Sequence, residues 1–253
     1  MRRPCSTLVL AFVLCITMGA DGVLAGEGVV AASQSQPKYE VWTGAEAFEH
    51  DWSVYSGVTA SPFGGIQEEG LRLRAVLGYS SYTYVPGTLK FHGAVGFGDF
   101  LLGYHQQLGA VTLKLFGGLS VAGRKSDDPF SSIDGTGWGG KAVAEVWWDI
   151  NDRAWTSLDL SWASLRDSYD RIYSSRLRLG WRVLPSLSAG LEAGADGNDD
   201  CDIGRLGGFV RYEWAGGEVS LSGGFSNENV GAGGLFHDGS QGPFVTVSWL
   251  MRF

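Results

Sequence analysis

The chain closes on FVTVSWLMRF, residues 244–253. Successive side chains of an extended strand point to opposite faces. Val245, Val247, Trp249, Met251 and Phe253 therefore share one face, while Thr246, Ser248 and Arg252 share the other, where Leu250 is an apolar intruder. Chain ends fray unless something ties them down. A strand that stays regular to a terminal aromatic residue needs a partner along its whole length, and the rest of the sequence must supply it.

The same alternation recurs upstream. LRLRAVLGY (71–79) sets Leu71, Leu73, Ala75, Leu77 and Tyr79 against Arg72 and Arg74; RLRLGWRV (176–183) sets Leu177, Leu179, Trp181 and Val183 against Arg176, Arg178 and Arg182; VTLKLFGGLSV (111–121) sets Val111, Leu113, Leu115, Leu119 and Val121 against Thr112 and Lys114. Each is a strand with one apolar and one charged face. Such segments fall near residues 39–48, 51–61, 70–84, 90–106, 110–123, 138–150, 155–167, 171–183, 187–196, 205–215, 218–228 and 243–253. From the fifth onward, long connections (RKSDDPFSSIDGTG, RDSYD, ADGNDDCDIG, NENVGAGGLFHDGSQG) alternate with short ones (NDRA, LPS, AGG). A soluble sandwich also wets one face of each strand. Long and short connections at opposite ends, an even strand count and aromatic residues near strand ends predict instead an all-β fold, a single antiparallel transmembrane β-barrel of about twelve strands. Trp42, Trp52, Tyr79, Tyr82, Tyr84, Trp138, Trp147, Trp148, Trp155, Trp162 and Trp214 are the expected girdle residues. SPFGGIQEEG (61–70) breaks the rule, being long where a short turn is expected. The last strand closes the sheet on the first, which satisfies the backbone groups that lipid cannot.

The chain begins MRRPCSTLVLAFVLCITMGADGVLAG, two arginines followed by an apolar run and then small residues. This is the order of a secretory signal peptide, so residues 1–25 are expected to be removed, leaving a periplasmic lead over 26–37 and the barrel over 38–253. The apolar run is shorter than the roughly 20 residues of a membrane helix. Without residues 1–25 the chain keeps 17 basic and 26 acidic residues, a net formal charge of −9. That balance argues against a nucleic-acid partner. One cysteine, Cys201, remains, so no internal disulfide framework is expected. The expected location is the outer membrane of a Gram-negative bacterium with both barrel termini in the periplasm, and the expected surroundings are outer-membrane lipid and lipopolysaccharide.

With the apolar face in lipid, the polar face turns inward. Arg72, Arg74, Lys114, Arg176, Arg178, Arg182, Arg211 and Arg252 would then meet Glu145, Asp159, Glu192 and Glu213 in the lumen, eight bases against four acids. A basic constriction favours anions; charges paired across the lumen would plug it instead, and about twelve strands lie between filled barrels of about eight and open channels of 16–18. Sugars stack on aromatic faces, a role open to Tyr82, Tyr84 and Trp147 if they point inward. Hydrolytic chemistry needs a nucleophile, a histidine base and an orienting group together. His50, His92, His105 and His237 come without a G-x-S-x-G elbow. DGNDDCDIG (196–204) lacks the twelfth-position Glu of a calcium hand, and GAGGLF (231–236) lacks the Lys-Ser or Lys-Thr of a phosphate loop. The chain is read as no enzyme, with no metal and no cofactor.

The closing strand resembles the carboxy-terminal signal by which the barrel-assembly machinery recognises its clients. SVYSGVTASPFGGIQEEGLRLRAVLGYSSYTY (53–84) and GYHQQLGAVTLKLFGGL (103–119) resemble the cellulose biosynthesis protein BcsS family, through the SGV strand, the SPFG turn, GLRLR with its following GY, and the later GY before an apolar strand. The resemblance implies an outer-membrane accessory of bacterial cellulose biosynthesis and secretion that passes or anchors exopolysaccharide, with cellulose or cellulose-secretion proteins as partners, and carries over no catalytic residue. The alternatives are an anion-selective or general small-solute porin and a lipid-modifying outer-membrane enzyme.

Overall fold

The computed structural model describes residues 36–49, 51–84, 90–129, 134–166, 171–198, 201–230 and 241–253. Among them are twelve strands: β1 (Tyr39–Ala47), β2 (Trp52–Ala60), β3 (Gly70–Tyr84), β4 (Phe91–Leu108), β5 (Val111–Ser126), β6 (Gly135–Asp149), β7 (Ala154–Arg166), β8 (Ile172–Leu184), β9 (Leu187–Asn198), β10 (Cys201–Trp214), β11 (Gly217–Val230) and β12 (Gln241–Arg252). Each pairs antiparallel with its neighbours in sequence, and β12 pairs with β1, so the sheet is a closed barrel. The closing ladder runs from Glu40 opposite Arg252 to Ala47 opposite Val245. Phe253 extends it: its carbonyl accepts from the backbone N–H of Lys38 at 2.6 Å and of Tyr39 at 3.0 Å, and its own N–H donates to the Tyr39 carbonyl at 2.9 Å. The seam therefore stays hydrogen-bonded to the last residue and the sheet has no free edge.

The period-2 pattern sets the two faces. Leu77, Phe100, Leu119, Leu191, Leu206 and Phe225 are exposed on the outside, Phe225 by 76%. Arg72, Asp99, Glu192 and Thr246, from the alternate positions, are buried inside. A large-residue apolar belt outside and a polar interior invert the arrangement of a soluble domain and belong to the outer-membrane type of barrel.

At the end where β1 begins and β12 ends the connections are 109–110, 150–153, 185–186 and 215–216, all tight. Gly109 takes a positive φ of 62° in the first, and Asn151 Oδ1 accepts from the N–H groups of Arg153 and Ala154 in the second. Residues 61–69 between β2 and β3 are the exception. The acidic stretch 195–204, expected as a long loop, is mostly strand: β9 runs to Asn198 and β10 starts at Cys201. Ser174 Oγ donates to Asp196 Oδ1 at 2.5 Å, so a neighbouring strand supplies the partner that lets this polar segment stay extended. His50 and His237 lie outside the described residues, as does the GAGGLF stretch.

The barrel lumen as candidate functional site

The inward faces enclose a cavity of about 830 Å³. Arg74, Lys114, Glu145, Asp159, Arg176, Arg178, Arg182 and Arg211 line it. Arg72 and Glu192 are buried in the wall, each 1% exposed. The expected basic excess is absent. Among the described residues the lining holds nine acids, Glu40, Glu46, Asp99, Glu145, Asp149, Asp159, Asp196, Glu213 and Glu218, against nine bases, the six lining bases named above together with Lys141, Arg205 and Arg252. The reading from sequence missed six of the acids: Asp196 belongs to the stretch expected as an acidic loop, while Glu40, Glu46, Asp99 and Glu218 sit singly, as in YEVWTGAEA, whose inward positions are Glu40, Trp42, Gly44 and Glu46.

Every one of these charges has an opposite partner. Neighbouring strands contribute Arg178 with Glu192 at 2.5 Å, Arg176 with Asp159 at 3.4 Å, Arg252 with Glu40 at 3.3 Å and Arg205 with Asp196 at 3.4 Å. Arg211 holds both Glu213, at 2.9 Å, and Glu218. Lys141 meets Asp99 at 2.6 Å and Arg182 meets Asp149 at 2.5 Å, each skipping one strand. Three pairs span more of the lumen: Arg74 of β3 with Glu145 of β6, Lys114 of β5 with Glu40 of β1 at 3.6 Å, and Arg205 of β10 with Glu46 of β1 at 3.4 Å. Charges taken out of bulk water persist when paired and hydrogen-bonded. The lining is accordingly polar at short range and carries no net formal charge.

Aromatic rings make up the rest of the inner surface. Trp42 lies over Gly57, Tyr55 over Gly44, Phe97 over Gly78, Phe116 over Gly103 and Trp155 over Gly180, and a Cβ on any of these glycines would meet the ring. Each glycine is the direct cross-strand partner of its aromatic residue. The missing side chain lets the ring fold flat onto the wall and turn a face inward. Trp147 and Trp155 stack at 4.1 Å, with the Arg211 guanidinium 4.7 Å from the Trp147 ring. Four of the expected girdle residues thus point inward: Trp42, Trp147 and Trp155 line the cavity, and Tyr82 lies over Gly93 opposite it. Trp52, Tyr79, Trp138, Trp148, Trp162 and Trp214 are exposed outside, and the Tyr84 side chain lies outside the described residues. On the closing strand Val245, Val247 and Phe253 are exposed, Trp249 and Met251 share their face half-buried, and Phe244 and Thr246 are buried inside.

The connection 61–69 turns toward the cavity. Ile66 is buried, and with Gln67 it contributes to the lining. Arg72 donates to Ser61 Oγ at 3.0 Å and to the carbonyls of Ile66 at 3.0 Å, Gly65 at 3.3 Å and Glu68. Its Nη2 also lies 3.1 Å from His105 Nδ1. Guanidinium cannot accept a hydrogen bond, so His105 accepts through Nδ1 and is neutral. Of the expected lumen residues, Arg72 is therefore a clamp on a loop. Only the length of SPFGGIQEEG, odd for its position, signalled it.

The family model of cellulose biosynthesis protein BcsS matches residues 41–253. A search of curated protein sequences found no match. Among solved structures, the chain is similar to an outer membrane channel from Pseudomonas putida F1, with a TM-score of 0.55, 8% identity, and coverage of 89% of this chain and 100% of that one. It is also similar to a deltaS2S3 mutant of the TodX monoaromatic hydrocarbon channel, with a TM-score of 0.52, 9% identity, and coverage of 87% of this chain and 91% of that one. At such identities the likeness speaks to the fold alone.

Proposed function

The chain belongs to the cellulose biosynthesis protein BcsS family, and from that membership we propose that it is a non-enzymatic outer-membrane accessory of cellulose biosynthesis whose lumen passes or anchors a neutral polysaccharide chain. One observation carries the reading: a cavity of about 830 Å³ lined by nine acids and nine bases, all paired, with aromatic rings laid flat between them. A net field would select an ion. A neutral lining of paired donors and acceptors, interrupted by ring faces, suits a solute with many hydroxyls and no charge. The same balance disfavours the anion-selective pore; a general small-solute pore is the second reading, favoured by the cavity itself.

In this reading residues 1–25 are a cleaved leader, residues 26–37 a periplasmic lead and 38–253 the barrel, with both barrel termini in the periplasm. The exposed belt, with Val245, Val247, Trp249, Met251 and Phe253, faces lipid and lipopolysaccharide, and the closing strand is what the assembly machinery reads. The described histidines support the non-enzymatic part. His105 spends Nδ1 on Arg72. His92 lies 3.1 Å from Thr83 Oγ1, but Asp127 takes its backbone N–H instead of a ring N–H. Acyl-ester cleavage that disappeared in His92→Ala would sink that part of the proposal.

The test is saccharide binding by the detergent-solubilised barrel, followed by tryptophan fluorescence. Soluble β-1,4-glucan oligomers should bind, more tightly with length, and uronate oligomers of the same length should not. The reverse preference would overturn the reading in favour of an anion pore.

A further inference from the structure

We propose that residues 61–69 form a displaceable floor that closes the lumen at the end where β1 begins and β12 ends, and that Arg72 is the clamp that keeps it shut. Each of the other described connections at that end is a tight turn. This one turns inward, placing Ile66 and Gln67 on the cavity, so a chain travelling the length of the barrel has to move them.

The wall does not depend on the floor. β2 and β3 pair continuously from Trp52 opposite Ser81 to Ala60 opposite Leu73, a ladder that a tight turn would close equally well. The floor has its own bends: Gly64 and Gly70 take positive φ angles of 77° and 145°, conformations that glycine adopts without steric cost. Between them it is held by few groups. Arg72 gathers the carbonyls of Gly65, Ile66 and Glu68. The Ile66 N–H donates to the Pro37 carbonyl at 2.7 Å, and Glu69 Oε1 accepts from Gln106 Nε2 at 2.7 Å. The Gln107 N–H also donates to Glu69 Oε1, at 3.1 Å, so one buried guanidinium supplies half of the hydrogen bonds that hold residues 65–69 in place, and withdrawing it loosens the segment between two glycine bends. Local opening of this kind draws on segments with few packed contacts.

The proposal rests on the lumen being a passage, but its test uses salt alone. Protein isolated from membranes in its processed form is inserted in planar bilayers, and KCl conductance is compared among wild type, a variant with residues 62–68 replaced by Asn-Gly, and Arg72→Gln, which keeps the floor and removes the clamp. Wild type should show small or flickering steps, and both variants larger and steadier ones. Equal conductance in wild type and the shortened barrel, silence in both included, would overturn the floor. If the shortened barrel does not insert, Arg72→Gln decides: unchanged conductance together with unchanged amide exchange at Ile66 would remove Arg72 from the role and the proposal with it. Loss of glucan binding with opening intact would instead count against the polysaccharide reading.

Discussion

At the scale of single residues, glycine is used here as an absence. Trp155 is fully buried against Gly180, and Trp42 covers Gly57. In each pair the small partner lets a large ring lie along the wall when it would otherwise project across the lumen. Gly180→Ala should push the Trp155 ring off its seat, at a cost of about 1–3 kcal/mol for overpacking, read as a lower denaturant midpoint for unfolding in micelles. Gly204, whose surroundings are open, is the control and should tolerate alanine. His105 makes a second residue-scale prediction. Its Nδ1 accepts from Arg72 only while the ring is neutral; protonation turns that nitrogen into a donor facing a cation, with Lys114 opposite in register on β5 and Glu40 the nearby carboxylate. The bond therefore requires the neutral ring and is lost when acid protonates it. Protection of the amides of residues 64–68 against exchange, taken relative to the intrinsic rate at each pH, should fall on acidification in wild type. In His105→Gln, whose side-chain oxygen accepts at any pH, it should lose that dependence.

At the scale of elements, the closing strand shows how much a period of two can say. Alternation in residues 244–253 placed Val245 and Val247 on the outside and Thr246 inside, and the closed barrel has them so. Phe253 contributes three backbone hydrogen bonds to the seam with β1. Deleting it removes all three, at about 0.5–1.5 kcal/mol each, so unfolding in micelles should shift by about 2–4 kcal/mol. Phe253→Ala keeps the backbone bonds, and its effect should fall mainly on assembly yield in cells, measured as the fraction of heat-modifiable barrel. Equal losses of stability in the two variants would mean that the ring, not the seam, is what matters. Elements were less legible where polarity mimicked a loop. The aspartates of 196–202 read as solvated chain, whereas β9 and β10 pair through Asp202 opposite Gly197. Strand ends beyond the apolar belt have no lipid-facing requirement, so their composition carries no alternation to read.

At the scale of the whole molecule, charge balance is the property that organises the lumen. Glu145 is the partner of Arg74 across the cavity, and the Arg74 guanidinium also lies 3.7 Å from the Phe116 ring centroid. Glu145→Gln leaves one uncompensated cation in an otherwise neutral lining, so the reversal potential in a KCl gradient should move toward anion preference. Arg74→Gln should move it toward cations. Absence of both shifts would mean that ions bypass this level of the barrel.

The sequence by itself determined the barrel, because a membrane-type fold repeats one local rule along every strand: apolar outside, polar or small inside, with the last strand obliged to find the first. It also carried the family, since the quoted stretches 53–84 and 103–119 lie within the 41–253 match. Only the tertiary structure decided what the inside is. Whether Glu40 meets Lys114, Glu46 meets Arg205 or Glu145 meets Arg74 depends on which strands face each other across a closed circle. Positions distant in sequence become opposite in space there, and no local periodicity encodes that. For the same reason Trp147 and Trp155, placed by pattern at the lipid boundary, stack within the lumen, and a connection too long for a turn became its floor.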